Sequence, residues 1–258
     1  MATANIESHV DLLYRAFDEK ELVDPITDSD DLTVEDAYAI QEGVIDRILG
    51  ADGETAGYKL GLVSGAKQAQ LGIDEPIFCP VPQELLIEPP HLDLDDCIKP
   101  RLEAEIGLVL GETLEPPVTS AEVIAKTQRV VPVIEIIESR YKDWNIPTAE
   151  DVIADITSCR RVFLGNRALD VGDVDLAMEG ITLTHNGELV ETGIGADIMG
   201  NPAAGVSWLA ERLAQRGDVL SAGDLLMTGG ITAAVDIEPG DIFNVHFSTL
   251  GSIDVVAQ

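Results

Sequence analysis

Apolar residues recur at helical spacing over the first fifty positions and at alternating or continuous spacing afterwards. Ile6, Val10, Leu13 and Phe17 form one stripe, and Ala37, Ile40, Val44, Ile45 and Ile48 form a second, which predicts two helices within residues 1–55. Thr33 followed by Asp36 marks the start of the second helix, with Asp in place of the usual Glu of a capping box. The acidic run 28–31 separates them. From Ala56 the texture changes to short apolar runs broken by Gly and Pro, and strands are expected near 58–63, 98–110, 130–137, 162–164 and 181–184. Asn186-Gly187 between Leu183 and Leu189 predicts a hairpin, because both residues tolerate the positive φ of a type I′ turn. Asn201-Pro202 opens a further helix whose Val206, Leu209 and Leu213 share a face before Gly217 ends it. Two similar segments, beginning at Ala222 and Pro239, each read as a turn entering a strand. The pattern predicts an α+β chain: a helical N-terminal part, 1–55, and a β-rich core, 56–258, in one domain spanning 1–258.

Composition narrows the possible functions. Hydrophobic residues make up 45%, enough for a large core, so disorder is excluded as the main state. No apolar run reaches the length of a spanning helix, and Met1–Glu7 has neither the basic nor the apolar character of a leader, so a soluble cytoplasmic protein is expected. Forty-seven Asp and Glu against sixteen Lys and Arg give a net charge of −31, which excludes nucleic acids and anionic membranes as partners. The acids are spread along the chain and few of the cations are Lys, a combination expected of a halophilic protein. In about 1 M salt the Debye length falls to roughly 3 Å and self-repulsion is screened. Cys79, Cys97 and Cys159 lack the spacing of a zinc site or a disulfide framework and read as reduced thiols. His9, His91, His185 and His246 show no metal-binding spacing.

Three carboxylates do not fit this pattern. Strand alternation puts Leu102, Ala104, Ile106 and Leu108 on one face and Glu103 with Glu105 on the other; the ordinary reading is a solvated strand face. Glu135, however, interrupts an apolar run, where an unpaired carboxylate would cost several kcal/mol. Either a salt bridge to Arg101 or Arg140 meets it, or the three acids converge on Mg²⁺ or Mn²⁺, hard cations that prefer oxygen ligands. Glu138 is a surface or supporting acid on the same pattern, or an extra ligand. Lys59 lies in an apolar, Gly-flanked strand of a chain poor in Lys, and is either a snorkelling surface residue or a cation beside the metal.

The stretches Gly57-Tyr-Lys-Leu-Gly-Leu, Leu71-Gly-Ile-Asp-Glu-Pro, Arg101-Leu-Glu-Ala-Glu-Ile, Ile134-Glu-Ile-Ile-Glu-Ser-Arg-Tyr-Lys-Asp-Trp, Asn186-Gly-Glu-Leu-Val-Glu-Thr-Gly, Gly200-Asn-Pro and Thr228-Gly carry a resemblance. In this order, from about residue 35 onward, the chain resembles the 2-oxopent-4-enoate (2-keto-4-pentenoate) hydratase and 4-oxalocrotonate decarboxylase branch of the fumarylacetoacetate hydrolase superfamily. The resemblance implies a fumarylacetoacetase-like mixed β-roll, with Glu103, Glu105 and Glu135 as ligands of Mg²⁺ or Mn²⁺. It implies Lys59 and Asp74 as catalytic residues, and Ser158, Asp155, Arg140 and Thr228 as substrate-binding ones. It further implies a homo-oligomer acting on a small 2-oxo or 2-hydroxydienoic acid. The expected reaction is hydration of a 2-hydroxy-2,4-dienoate to a 4-hydroxy-2-oxo acid in the catabolism of aromatic-ring-cleavage products. The alternatives are decarboxylation of a 2-oxo-enedioate and, from another class, a non-catalytic oligomeric binding subunit. No His lies between Asp11 and Pro90, which argues against the His and Glu dyad of the carbon–carbon hydrolases. Two departures bear on substrate: Ala154-Asp-Ile-Thr-Ser-Cys159 replaces the common Ala-Asp-Asn-Ala-Ser-Ser, and Gly230 stands where a Ser often follows Thr-Gly.

Overall fold

The apolar stripes become helices α1 (Ile6–Glu19) and α2 (Val34–Leu49), in a computed structural model that describes residues 5–258. Residues 1–4, part of the stretch read for a leader, lie outside the described residues. Asp36 does complete the box at the start of α2: its amide donates to the Thr33 hydroxyl at 3.1 Å and its carboxylate accepts from the Thr33 amide at 3.0 Å. Both helices set their apolar faces into a core cluster that also takes residues from every later part of the chain, from Leu60 to Ala257.

The strands are β1 (Thr55–Gly61), β2 (Ile77–Pro82), β3 (Leu86–Ile87), β4 (His91–Leu92), β5 (Arg101–Leu110), β6 (Thr127–Ile137), β7 (Cys159–Leu164) and β8 (Leu169–Asp170). They continue as β9 (Gly180–His185), β10 (Glu188–Ile194), β11 (Leu225–Met227), β12 (Val235–Asp236), β13 (Ile242–Phe247) and β14 (Gly251–Ala257). Nine form a mixed sheet in the order β2-β1-β11-β5-β6-β7-β3, with β12 also on β5 and β8 on β6. The other five form a sheet in the order β10-β9-β13-β14-β4. Asn186 and Gly187 take φ of 51° and 86° at the tip of the β9–β10 hairpin, the left-handed values the turn demands.

Four helices lie beyond the N-terminal part: α3 (Gly65–Leu71), α4 (Ser120–Lys126), α5 (Ala149–Ala154) and α6 (Pro202–Arg216). Only α6 follows from the apolar pattern; the others have six or seven residues, too few for a periodicity to stand out. The start of α4 was nevertheless encoded, since Thr119 and Glu122 form a capping box. No described helix is long and apolar enough to cross a membrane.

The sheet's central pair, β5 and β6, creates the site. Their antiparallel register sets Glu103 opposite Glu135 and Glu105 opposite Val133. β11 carries β1 to the other side of β5, so Lys59 arrives from β1, whose register pairs it with Met227. Almost the whole of β5 is buried on both faces, so the solvated-face reading of Glu103 and Glu105 is overturned: other parts of the fold cover the side on which alternation had placed water.

Candidate metal centre

Glu103, Glu105 and Glu135 each bring a carboxylate oxygen within 4.8 Å of the others, at exposures of 8%, 0% and 1%. Three negative charges at this depth demand compensation. Lys59, 2% exposed, forms an ion pair with Glu135, and Lys67 of α3 reaches Glu103 Oε1 at 3.0 Å. Neither Arg101 nor Arg140 meets Glu135: Arg101 pairs with Asp236 and Arg140 with Asp155. Glu105 is held differently, one oxygen accepting from the Gly229 amide at 2.9 Å while its buried Oε1 has no hydrogen-bond partner among the described residues. An orphaned, buried carboxylate oxygen facing two other acids is the position a hard divalent cation would satisfy, so the donor set fits Mg²⁺ or Mn²⁺.

The backbone beside these acids has no room for side chains at two positions. Gly229 has φ of 99°, and a Cβ there would press on Val63 at 2.7 Å. A Cβ on Gly230 would come within 2.7 Å of Glu103 Cδ, so the missing side chain is what lets the Glu103 carboxylate lie where it does.

Electrostatics set Glu105 and Glu135, which resist ionising, apart from Lys59, which does not. Burial raises the Glu105 pKa well above the carboxylate range, and neighbouring Glu135 adds to it. Burial raises Glu135 too, against the pull of Lys59. For Lys59, burial pulls its pKa down, but Glu135, Cys159 and Glu105 outweigh it, and the net shift is upward. The snorkelling reading is therefore excluded: the ammonium is a buried, charged group that also donates to the Thr157 carbonyl at 2.8 Å. That carbonyl is presented by a strained turn, in which Ile156, Thr157 and Ser158 all have positive φ, at 44°, 50° and 59°.

A cavity of about 310 Å³ opens over the centre, its wall including Lys59, Lys67, Glu103, Glu135, Ser158 and Gly230. Of the remaining residues implied by resemblance, Ser158 alone is on this wall. Arg140 and Asp155 are not on the wall and form a buried pair, with the Arg140 Nε at 2.5 Å from Asp155 Oδ1 and burial lifting the Asp155 carboxyl to about 6. They tie the end of β6 to the turn before β7, and both are saturated by that work. Thr228 is likewise engaged, its hydroxyl donating to the Ile106 carbonyl at 2.9 Å. Asp74 is exposed in the bend between α3 and β2, off the cavity wall. Glu138 is no surface acid: it is fully buried, accepts from the Ile98 amide and faces Arg160 at 3.9 Å. Lys67 and the Gly229 amide had not been expected at the site. Lys67 is one of only six lysines, which was a usable signal, but the amide had none, since any residue has one.

The chain and its fold have known counterparts. The family model described as "Fumarylacetoacetate (FAA) hydrolase C-terminal" matches residues 73–256, and the chain belongs to that family. Within it, the chain is 38% identical over 228 residues to a 4-oxalocrotonate decarboxylase of Pseudomonas sp., covering 88% of this chain and 86% of that one. It is 37% identical over 245 residues to a 2-keto-4-pentenoate hydratase of Paraburkholderia xenovorans, covering 93% and 90%. Among solved structures, the 4-oxalocrotonate decarboxylase of Pseudomonas putida complexed with magnesium and adipate superposes with a TM-score of 0.95 at 33% identity, over 100% of this chain and 99% of that one.

Proposed function

We propose that this chain is a divalent-metal-dependent lyase that hydrates a 2-hydroxy-2,4-dienoate to a 4-hydroxy-2-oxo acid. The observation that carries the reading is the group of three buried carboxylates, one with an unpartnered oxygen, beside a lysine that stays charged. Glu103, Glu105 and Glu135 would hold Mg²⁺ or Mn²⁺, which when bound supplies Lewis acidity toward the 2-oxo acid end of the substrate. Lys59 keeps its proton on Nζ and offsets the negative charge that the substrate brings to a site already rich in carboxylate. Ser158 offers a hydroxyl on the wall, and Ile77, Val152 and Ile146 keep bulk water from the flanks.

Decarboxylation of a 2-oxo-enedioate is the second reading, favoured by the similarity in both sequence and structure to 4-oxalocrotonate decarboxylases. A non-catalytic binding subunit is disfavoured physically, because burying a lysine and three acids costs stability that a scaffold has no reason to spend. The setting we propose is the cytoplasm of a high-salt cell, in aromatic catabolism, with self-association through the β10 edge, where Leu189, Val190 and Ile194 are exposed.

The deciding experiment follows dienoate absorbance with Mg²⁺ or Mn²⁺ and analyses the product. A 4-hydroxy-2-oxo acid supports hydration and released carbon dioxide supports the rival. No metal-dependent change with any 2-oxo-enoic acid would overturn both. Glu103→Gln is expected to lower turnover by about two orders of magnitude or more with the fold intact, because one charged ligand is lost at the cavity rather than in the apolar core.

A further inference from the structure

We propose that Lys67 stands in for part of the metal's charge at Glu103 and gives that carboxylate up when the divalent ion enters, so that the site trades an ammonium for the ion; this rests on the metal-binding reading above. Lys59 and Lys67 both meet the glutamates, but they are held very differently. Lys59 is buried on β1 and also donates to the Thr157 carbonyl at 2.8 Å. The Lys67 ammonium makes one hydrogen bond among the described residues, to Glu103 Oε1 at 3.0 Å. Its side chain is 40% exposed, and it stands on α3, none of whose residues is buried. Lys59 is therefore fixed, whereas Lys67 can withdraw into water by rotating its own side chain.

Charge decides which of the two leaves. Glu135 has Lys59 and Glu105 has the Gly229 amide, while among the described residues the only hydrogen bond to the Glu103 carboxylate comes from Lys67. In the metal-free protein Lys67 thus covers the one acid that nothing else holds. A bound divalent ion and Lys59 together neutralise all three carboxylates, and a second ammonium on Glu103 is then repelled by the ion with no uncompensated charge left to attract it. The exchange spares the metal-free fold a buried acid without a partner, since Glu103 is only 8% exposed. It also keeps the ion replaceable, because part of the binding energy goes into displacing Lys67.

Calorimetric titration of the metal-stripped protein with Mg²⁺ tests the exchange. Lys67→Met is expected to bind Mg²⁺ about fivefold more tightly than the wild type, the reverse of what losing a favourable contact with the ion would do. Lys67→Arg keeps the cation and should stay near the wild type. Neither change touches the core, since α3 buries no residue. A second readout follows Lys67 itself: acetic anhydride labelling, located by mass spectrometry, should modify Lys67 faster in saturating Mg²⁺, where the amine has left its carboxylate. Unchanged or weaker Mg²⁺ binding by Lys67→Met, equal gains in the Met and Arg variants, or labelling that Mg²⁺ does not speed overturns the exchange alone. A wild type that binds no Mg²⁺ overturns the metal-binding reading, and the exchange with it.

Discussion

Lys59 keeps its charge where a lysine by itself would lose it, because Glu135 and the Thr157 carbonyl take its protons' hydrogen bonds and Glu105 adds its field. Removing it should therefore be felt first in the metal-free protein. Lys59→Met leaves Glu135 buried without its cation, and breaking a buried pair from one side costs about 3–5 kcal/mol. The metal-free melting temperature should fall, and Mg²⁺ should raise that of the variant more than that of the wild type; equal gains would show that Lys59 and the ion do not balance the same charges. Glu105 supplies a second expectation. Its pKa is raised by burial, so as pH falls the carboxyl takes up a proton and loses its capacity to ligate. Mg²⁺ affinity should increase with pH, and calorimetry in buffers of different ionisation enthalpy should detect proton release on binding. Asp74, exposed and off the wall, gives the opposite expectation: Asp74→Asn should keep turnover within about threefold of wild type, and a larger loss would show that the resemblance identified a role this geometry does not reveal.

At the scale of elements, two glycines separate fold from site. Gly57 on β1 has φ of 147°, and a Cβ there would collide with the Leu225 backbone, whose amide nitrogen lies 2.6 Å away. Backbone cannot yield cheaply, so Gly57→Ala should loosen the parallel β1–β11 pairing and cost more than about 1 kcal/mol in denaturant unfolding. Gly230→Ala meets the end of a flexible side chain instead, Glu103 Cδ at 2.7 Å. Its unfolding midpoint should stay near that of the wild type while Mg²⁺ affinity drops, and the reverse outcome would place Gly230 among the structural glycines. The strained turn at residues 156–158 belongs to the same scale. Three successive left-handed residues persist there because their neighbours are bound in place: the Ser158 carbonyl accepts from the Glu138 amide at 2.8 Å, and the Ser158 amide donates to the Asp155 carbonyl at 2.8 Å.

For the molecule as a whole, charge sets how stability responds to solvent. Even if every one of the sixteen Lys and Arg were paired, thirty-one acids would have no cation. Their mutual repulsion weakens as salt screens it, and strongly excluded anions also favour apolar burial. The melting temperature should climb from dilute buffer to molar salt, more steeply than local ion pairs alone would allow; a flat profile would contradict the high-salt setting.

Periodicity along the chain determined α1, α2, α6, the hairpin at Asn186-Gly187 and the central strands, because each depends on neighbours a few positions apart. The anomalous Glu135 and the rare Lys59 were legible for the same reason, as polar residues in apolar runs. The tertiary structure alone decided which of them meet. Glu103 and Glu135 face one another through the β5–β6 register, Lys59 reaches Glu135 from a strand 76 positions away in sequence, and Lys67 comes from a helix too short to show a pattern. It also decided that Arg140 belongs to Asp155, that both faces of β5 are covered, and that the Gly229 amide holds Glu105. Those outcomes depend on sheet order and long-range register, which are set by burying the whole apolar surface at once and leave no mark on any one stretch of residues.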